Sequence, residues 1–503
     1  MEVFPILKRI VSLILSAFII AAASAAIAQD KPEFRAMWVS SYGTNCDMAT
    51  PEGIDKLIAQ AKLANLNALV LQVRKTGDAF YKSDTEPRAE DLLLPDFDPL
   101  AYAIEKAHAA GIEVHAWLNT YKVWAGDKLP RDPNHVYNKH PEWVNKTIYG
   151  NTDKSRNYGL DPGIPEVQEY TCKVYMDVVK KYDVDGIHFD YCRYWDPSFG
   201  YSDLAVARFN KETGRTGIPK VDDPVWCNWR RDRITDLVRQ VYEEAKAIKP
   251  WVRVTGSVVG NHPEGTLPMD FTKSHPYNLL LQDWERWTRE GIIDAVFPMN
   301  YKQEFWSDAA KAFREMTDGM VRWKHDRHAY NGLSVQPPDN YGVQVNESRT
   351  RGTDGTCGFA FNALGRYRAS RPIFSPGGNY IGGYNRIHRG QFALALRQNL
   401  FPTWVPTPPM PWKAERPAGS GGPVIAAGGA TDLDSCIYSA GVEGAITLLK
   451  EAVQKSPGCA DAHYRLGRCY RLKGMDTEAK AEFEEVLKID PSHIGASAEL
   501  GLE

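Results

Sequence analysis

Apolar and polar residues alternate in eight short stretches of the chain, and the segments between them carry apolar residues at helical spacing. The alternating stretches begin at residues 34, 68, 112, 184, 253, 294, 329 and 356. A period of two is typical of a strand, and a period near 3.6 is typical of an amphipathic helix. Strands that alternate with helices form parallel β-α units. Eight such units favour a closed (β/α)8 TIM barrel, an α/β fold, over an open doubly wound sheet.

Helices are predicted between these strands over residues 51–64, 99–110, 164–182, 228–248, 277–290 and 307–325. Two irregular insertions, residues 120–162 and 195–224, interrupt the alternation. Loops of that length in compact domains are usually functional or disordered. Because the first insertion follows the third strand, we expect residues 120–162 to form a wall of a site.

The composition changes after the predicted barrel, which we place at residues 31–401. Residues 402–431 are rich in proline and glycine, which predicts a linker. Residues 432–503 then repeat a pattern at the 34-residue step of tetratricopeptide repeats. The matching positions are Ala445 and Ala479, Leu449 and Phe483, and Pro457 and Pro491, with Leu466, Gly467 and Tyr470 between them. We predict a small all-α tetratricopeptide-like domain that packs on the barrel, associates with itself or docks a protein partner.

The first 28 residues have the pattern of a secretory signal peptide. Lys8 and Arg9 precede an apolar run, and the small-x-small sequence that ends at Ala28 is typical of a cleavage site. We therefore predict export to the periplasm or beyond, with cleavage after Ala28 and no stable membrane span afterwards. All eight cysteines lie in the exported part, where disulfides are allowed, and their pairing stays open.

Charge and motifs exclude several classes of function. The net charge is only -3 and no dense block of lysine and arginine is present, so nucleic acid is not an expected partner. No dinucleotide or P-loop motif follows an early strand, and no cofactor is predicted. The chain contains 14 tryptophans and 24 tyrosines, whose flat faces stack on sugar rings as well as filling cores.

Polar side chains cluster where the predicted strands end. The carboxyl ends of barrel strands meet at one mouth, where barrel active sites lie, so we expect these side chains to converge. Aromatic residues near the same ends (Trp117, Tyr121, Trp124, Tyr194, Trp195, Tyr301 and Trp306) favour a carbohydrate groove. The predicted substrate-binding residues are Gln72, Arg74, His115, Trp117, Asn119, His188, Arg193, Tyr194, Asn300 and Tyr301.

Carboxylate acid/base chemistry is the economical mechanism, because the chain has no nucleophile motif of serine, cysteine or threonine. A glycosidase uses two carboxylates, or one carboxylate and a substrate group. Asp190, at the end of the fourth strand, is the first candidate, although an ion pair with Arg193 or Arg74 is a rival role. Glu304 is the favoured second candidate, with Glu264 and Asp339 as alternatives.

Two further acidic residues and a set of histidines have structural interpretations. Asp185 and Asp294 begin their strands and so belong to the opposite, stability face of the barrel. His115, His188 and Asp190 have the residue types of a two-histidine, one-carboxylate metal site. Hydrogen-bonded interior histidines are the preferred explanation, and no metal is predicted.

Three separated segments resemble the hallmark segments of the glycosyl-hydrolase-like family 10 proteins. They are Phe34–Val39, residues 185–194 and residues 291–301, and the resemblance spans residues 34 to about 400. Cys192 and Trp195 depart from the family's usual pattern, whereas Asp190 matches its strand-four aspartate. The resemblance implies an exported TIM-barrel protein. Because some members cut peptidoglycan strands stripped of peptide stems, it also implies a cell-wall glycan as the substrate class.

We therefore expect an exported glycoside hydrolase that cleaves a cell-wall amino-sugar glycan, namely peptidoglycan strands lacking peptide stems. One alternative is a hydrolase of another extracellular polysaccharide. The other is a non-catalytic glycan-binding scaffold that recruits partners through its helical-repeat tail.

Overall fold

A computed structural model describes residues 31–42, 46–92, 94–260, 270–302, 307–335, 338–361, 373–374, 380–381 and 389–417, and most of 446–500. The predicted signal peptide, residues 1–28, lies outside these ranges. The chain divides into two compact units, residues 1–424 and 425–503. No helix in the described ranges is both long and apolar enough to cross a membrane.

The first unit contains a closed barrel of eight parallel strands, as predicted. Its strands are β1 (Phe34–Val39), β2 (Ala68–Arg74), β3 (Glu113–Asn119), β7 (Gly186–Asp190), β8 (Arg253–Val259), β9 (Ala295–Met299), β10 (His328–Ser334) and β11 (Gly355–Phe359). Each strand pairs with its neighbour in chain order, and β11 closes the barrel on β1. The carboxyl ends of all eight strands therefore meet at one mouth.

Helices surround this barrel and shield its apolar outer face. They are α1 (Pro51–Leu63), α2 (Pro99–Ala109), α3 (Val136–Lys139), α4 (Pro165–Lys181), α5 (Asp203–Thr213), α6 (Pro224–Ile248), α7 (His275–Leu279), α8 (Trp284–Arg289), α9 (Ser307–Trp323), α10 (Pro338–Arg351) and α11 (Arg389–Asn399). Proline in the first turn of α1, α2, α4 and α6 replaces an amide that a helix leaves unbonded there. Asp98 and Asp223 cap α2 and α6 through their carboxylates.

The predicted helices agree with the structure except in one stretch and in four omissions. Residues 277–290 form two short helices instead of one, because Leu281 takes a left-handed backbone with φ of 53° and Asp283 caps the second helix. The prediction missed α3, α5, α10 and α11. The first insertion contains a small antiparallel sheet of β4 (Lys122–Ala125), β5 (Asp153–Lys154) and β6 (Asn157–Gly159).

The opposite end of the barrel is covered by the first part of the predicted linker. Trp412 donates a hydrogen bond to Asp294 at 2.8 Å, and Lys413 forms an ion pair with the same carboxylate at 2.7 Å. Arg416 pairs with Asp185 at 2.9 Å. Residues 402–417 thus belong to the barrel unit, which corrects the predicted start of the linker, and the structural interpretation of both aspartates is confirmed.

The second unit is helical, in agreement with the predicted repeat. Its helices α12 (Ala460–Leu472) and α13 (Asp476–Ile489) pack through Leu466, Tyr470 and Phe483. A side chain at Gly467 would lie 2.7 Å from the ring of Phe483, so this close approach of the two helices requires glycine.

Candidate active site

The mouth of the barrel contains a cavity of about 280 Å³ that collects residues from the ends of several strands. Its described lining residues are Trp38, Ser40, Tyr42, Gln72, Trp117, Asp190, Tyr191, Arg193, Ser257, Met299, Tyr301 and Phe359. Five of them are predicted site residues: Gln72, Trp117, Asp190, Arg193 and Tyr301. Aromatic faces and a few converging polar groups are typical of a carbohydrate pocket.

Asp190 is the carboxylic acid among the described residues that line this cavity. Its Oδ1 accepts hydrogen bonds from the amide of Tyr191 at 2.7 Å and from Nη1 of Arg193 at 3.4 Å. Within the described chain, Oδ2 has no bonded partner. Burial raises the pKa of Asp190, and the cation of Arg193 and the amide of Tyr191 oppose that rise. Asp190 is therefore suited to hold a proton and to release it into the cavity.

The backbone turns sharply directly after Asp190. Tyr191 has a φ of 50°, in the left-handed region that non-glycine residues seldom adopt. Backbone conformations of this kind cluster at functional sites, where the surrounding structure maintains them. Here the turn places the amide of Tyr191 on the Asp190 carboxylate and brings the Tyr191 ring into the cavity wall.

A polar network below the cavity fixes its floor. His188 lies between Thr255 and Ser257, with nitrogen to oxygen distances of 2.8 Å to each hydroxyl, and Trp38 donates its indole hydrogen to the same ring at 3.2 Å. Burial holds the pKa of His188 well below its ordinary value, so the ring stays neutral. His188 therefore positions Trp38 and Ser257 and does not itself line the cavity.

Asn119 orients two residues of the cavity wall. Its Oδ1 accepts hydrogen bonds from the indole of Trp117 at 3.1 Å and from Gln72 at 3.4 Å, while its amide donates to the carbonyl of Lys75 at 2.6 Å. Asn119 is fully buried. It supports the substrate wall without reaching the cavity.

Two of the predicted substrate-binding residues are buried in ion pairs or in the barrel interior. Arg74 forms a two-pronged pair with Glu86, at 2.7 to 2.9 Å, and donates to the carbonyl of Thr120. His115 lies in the interior near the opposite end, 3.3 Å from Glu113 and edge-on to Phe34. These contacts hold both side chains away from the cavity, which corrects their predicted role.

Two further predicted residues point away from the mouth. Asn300 donates hydrogen bonds to the carbonyl of Phe313 and to Thr317 on α9, because successive residues of an extended chain face opposite sides. Tyr194 is fully buried, with the Arg230 guanidinium 5.6 Å from its ring centroid. Both residues stabilise the surroundings and do not line the cavity, so the site prediction is corrected there too.

The predicted second carboxylate, Glu304, lies outside the described residues. Glu264 lies outside them as well, and of Asp339 only the backbone is described. Within the described chain, no group of three or more histidine, cysteine or acidic side chains could hold a metal ion.

A second cavity of about 230 Å³ adjoins the first, and Tyr42 lines both. Trp124, Ala125, Asp132 and His135 contribute to it from the first insertion. The insertion therefore forms a wall beside the mouth, as expected. Two adjoining cavities give the groove room for more than one sugar ring.

The sequence analysis missed several lining residues. Trp38, Ser257 and Phe359 lie on the inward face at the ends of β1, β8 and β11, so strand alternation could have identified them. Tyr42 lies in a loop after β1, where alternation carries no information.

An eight-stranded parallel barrel with a buried carboxylic acid in an aromatic groove at its mouth has the architecture of a glycoside hydrolase. The model of the family described as Glycosyl hydrolase-like 10 matches residues 33–331, which is more than half of the chain. The protein belongs to this family and is a glycoside hydrolase. A tetratricopeptide repeat model matches residues 442–500 of the tail.

Individual relatives agree with this assignment. Glycosyl hydrolase YngK of Bacillus subtilis is 32% identical over 363 residues, 67% of each chain. Glycosyl hydrolase DigH of Escherichia coli is 28% identical over 321 residues, 59% of this chain and 67% of DigH. Among solved structures, a catalytic mutant of the GH42 β-galactosidase Gan42B from G. stearothermophilus shares the fold, with a TM-score of 0.50 and 11% identity over 74% of this chain and 58% of that one.

Proposed function

We propose that this glycoside hydrolase is exported and cleaves peptidoglycan strands that lack peptide stems, with Asp190 as the general acid. The observation that carries the proposal is the placement of Asp190, a buried carboxyl whose Oδ2 is available at an aromatic-lined mouth. The substrate class follows from the resemblance of the three hallmark segments. The signal-like residues 1–28 support export.

Asp190 performs the acid step of the mechanism. Because burial favours the neutral form of Asp190, its carboxyl group holds a proton at the cavity and donates that proton to the departing glycosidic oxygen. Trp117 and Tyr301 offer faces on which sugar rings stack, which orients the scissile bond. Glu304 follows Tyr301 by three positions in the sequence, and we propose it as the second carboxylate.

The test is to incubate the purified mature chain with stem-free and intact peptidoglycan and to read the products by mass. We expect oligosaccharides from the stem-free strands and few or none from the intact polymer. Cleavage of another polysaccharide, with neither peptidoglycan form attacked, would reject the substrate assignment while leaving the glycosidase class in place.

The tail gives the protein a second role in this proposal. Short tetratricopeptide arrays commonly dock peptides or partner chains on their concave face. We propose that residues 432–503 recruit a protein partner. The test is a pull-down that compares the full-length chain with a chain from which the tail has been deleted.

A further inference from the structure

Two cations lie beside the proposed acid and share one aromatic ring. The Nζ atom of Lys122 is 5.0 Å from the ring centroid of Tyr191 and 5.2 Å from that of Tyr42. The guanidinium carbon of Arg193 is 4.6 Å from the centroid of the same Tyr191 ring. Arg193 itself lines the first cavity, and Lys122 lies against the rings of Tyr191 and Tyr42, which line it.

Lys122 has no anionic partner in the part of the chain that the structure describes. Only 7% of its surface is exposed, and its ammonium forms no hydrogen bond or ion pair there. Burial lowers the pKa of Lys122, and the nearby Asp190 opposes that shift. By contrast, Lys75, which also lies over the Tyr42 ring, forms an ion pair with Asp91. A nearly buried ammonium that is stabilised by aromatic faces and by the nearby Asp190, but forms no ion pair, is a group that can bind an anion.

The charge balance of the site supports this conclusion. Arg193 uses Nη1 for Asp190, and its other nitrogen atoms bond no acceptor among the described residues. When Asp190 carries its proton, as a general acid must before it acts, no other acidic side chain among the described residues that line this cavity offsets Lys122 and Arg193. The described part of the lining then has a positive surplus, which is complementary to an anionic substrate group.

We propose that Lys122 and Arg193 bind a free carboxylate carried by a sugar next to the scissile bond. This inference rests on the proposed function and specifies it chemically. The muramic acid of stem-free strands carries a free lactyl carboxylate, whereas attachment of a stem peptide converts that group into a neutral amide. A carboxylate subsite therefore selects strands without stems by charge, in addition to any exclusion by size.

The test compares stem-free strands with the same strands after their carboxylates are converted to methylamides, which changes charge with little change in size. We expect the wild type to cleave the carboxylate form with a kcat/KM about ten- to hundredfold higher, the range of one or two charge-assisted hydrogen bonds. Lys122→Met should reduce this ratio by about tenfold, and Lys122→Arg should largely restore it. Lys173→Met, an exposed lysine on α4, is the matched control and should keep the wild-type ratio.

A binding measurement keeps this inference separate from the proposed function. Calorimetry measures the affinity for both strand forms of two variants, the single variant Asp190→Asn and the double variant that adds Lys122→Met. Thermal unfolding first shows that both variants are folded. Preference for the carboxylate form that disappears with Lys122 supports the subsite. Equal affinity for both forms overturns the subsite, even if the wild type cleaves both. A wild type that cleaves neither form rejects the proposed function, and the binding result still decides the subsite.

Discussion

At the scale of single residues, the proposed acid chemistry depends on how the surroundings of Asp190 set its proton affinity. Burial raises its pKa and the cation of Arg193 lowers it, so the two effects compete at one carboxyl. An acid catalyst is active only while protonated, and activity should decline as pH rises through the pKa of Asp190.

Removal of the neighbouring cation should extend activity to higher pH. In Arg193→Gln the ionised form of Asp190 loses its charge partner, so the pKa of Asp190 rises and the alkaline limb of the kcat/KM profile moves to higher pH. The limb position is independent of any loss of maximal rate. An alkaline limb that stays in place or moves to lower pH would contradict the assignment of Asp190 as the acid.

Tyr301 allows a test of sugar stacking with little effect on folding. Its ring is 39% exposed at the mouth and stacks on Phe359 with centroids 5.7 Å apart. Tyr301→Ala should weaken glycan binding about two- to tenfold, the value of one aromatic contact, with an unchanged melting temperature. Tyr149→Ala, at an 83% exposed tyrosine of the first insertion, is the control and should bind as the wild type does. Equal binding by both variants would remove Tyr301 from the substrate site.

At the scale of elements, residues 402–417 act as the cover of the barrel's lower end. Asp294 is completely buried and receives an ion pair from Lys413, a hydrogen bond from Trp412 and another from the amide of Val254. A buried carboxylate that loses its cation is costly, because the remaining donors only partly replace it.

Lys413→Met should therefore lower the free energy of unfolding by about 3 kcal/mol, measured by urea titration. Addition of Asp294→Asn removes the buried carboxylate charge that Lys413→Met leaves unpaired. The double variant should therefore recover part of the lost free energy of unfolding. Since this end lies opposite the mouth, kcat/KM should stay at the wild-type value under conditions in which the variant is fully folded. If Lys413→Met alone is as stable as the wild type, the cover contributes little to the free energy of unfolding.

Strand alternation explains which parts of the site could be predicted. The bounds of β1 and β2, the strand-end position of Asp190 and the inward faces of Gln72 and Trp117 follow from the period of two. Alternation gives the face of a side chain but not its depth along the barrel axis, so it predicts His115 at the mouth although His115 lies near the other end. It also assigns Asn300 and Tyr301 to opposite faces, and only Tyr301 lines the cavity.

Long-range partners account for the other differences. Arg74 faces the interior as predicted, but Glu86, twelve positions later, captures its guanidinium. Pro406, Pro408 and Pro409 gave residues 402–417 the composition of a linker. Composition cannot show that Trp412, Lys413 and Arg416 contact buried aspartates that directly precede strands more than a hundred residues earlier.

At the scale of the whole molecule, the chain consists of two compact units. The described residues of the proposed site all belong to the barrel unit, residues 1–424, and the repeat helices belong to residues 425–503. A chain that ends at Val424 should release oligosaccharides at the wild-type rate from stem-free strands. A loss of more than about tenfold in kcat/KM, about 1.4 kcal/mol, would show that the tail takes part in cleavage.

The most direct test of the central claim is the release of oligosaccharides from stem-free peptidoglycan by the wild type and by Asp190→Asn, read by mass. Because the pKa of Asp190 is raised by burial, its ionisation opposes folding as pH rises, so the asparagine variant should be at least as stable at neutral pH. We expect release by the wild type and a loss of about 10² to 10⁴-fold in the variant, which should still bind the glycan. A folded variant that cleaves at the wild-type rate would contradict the account.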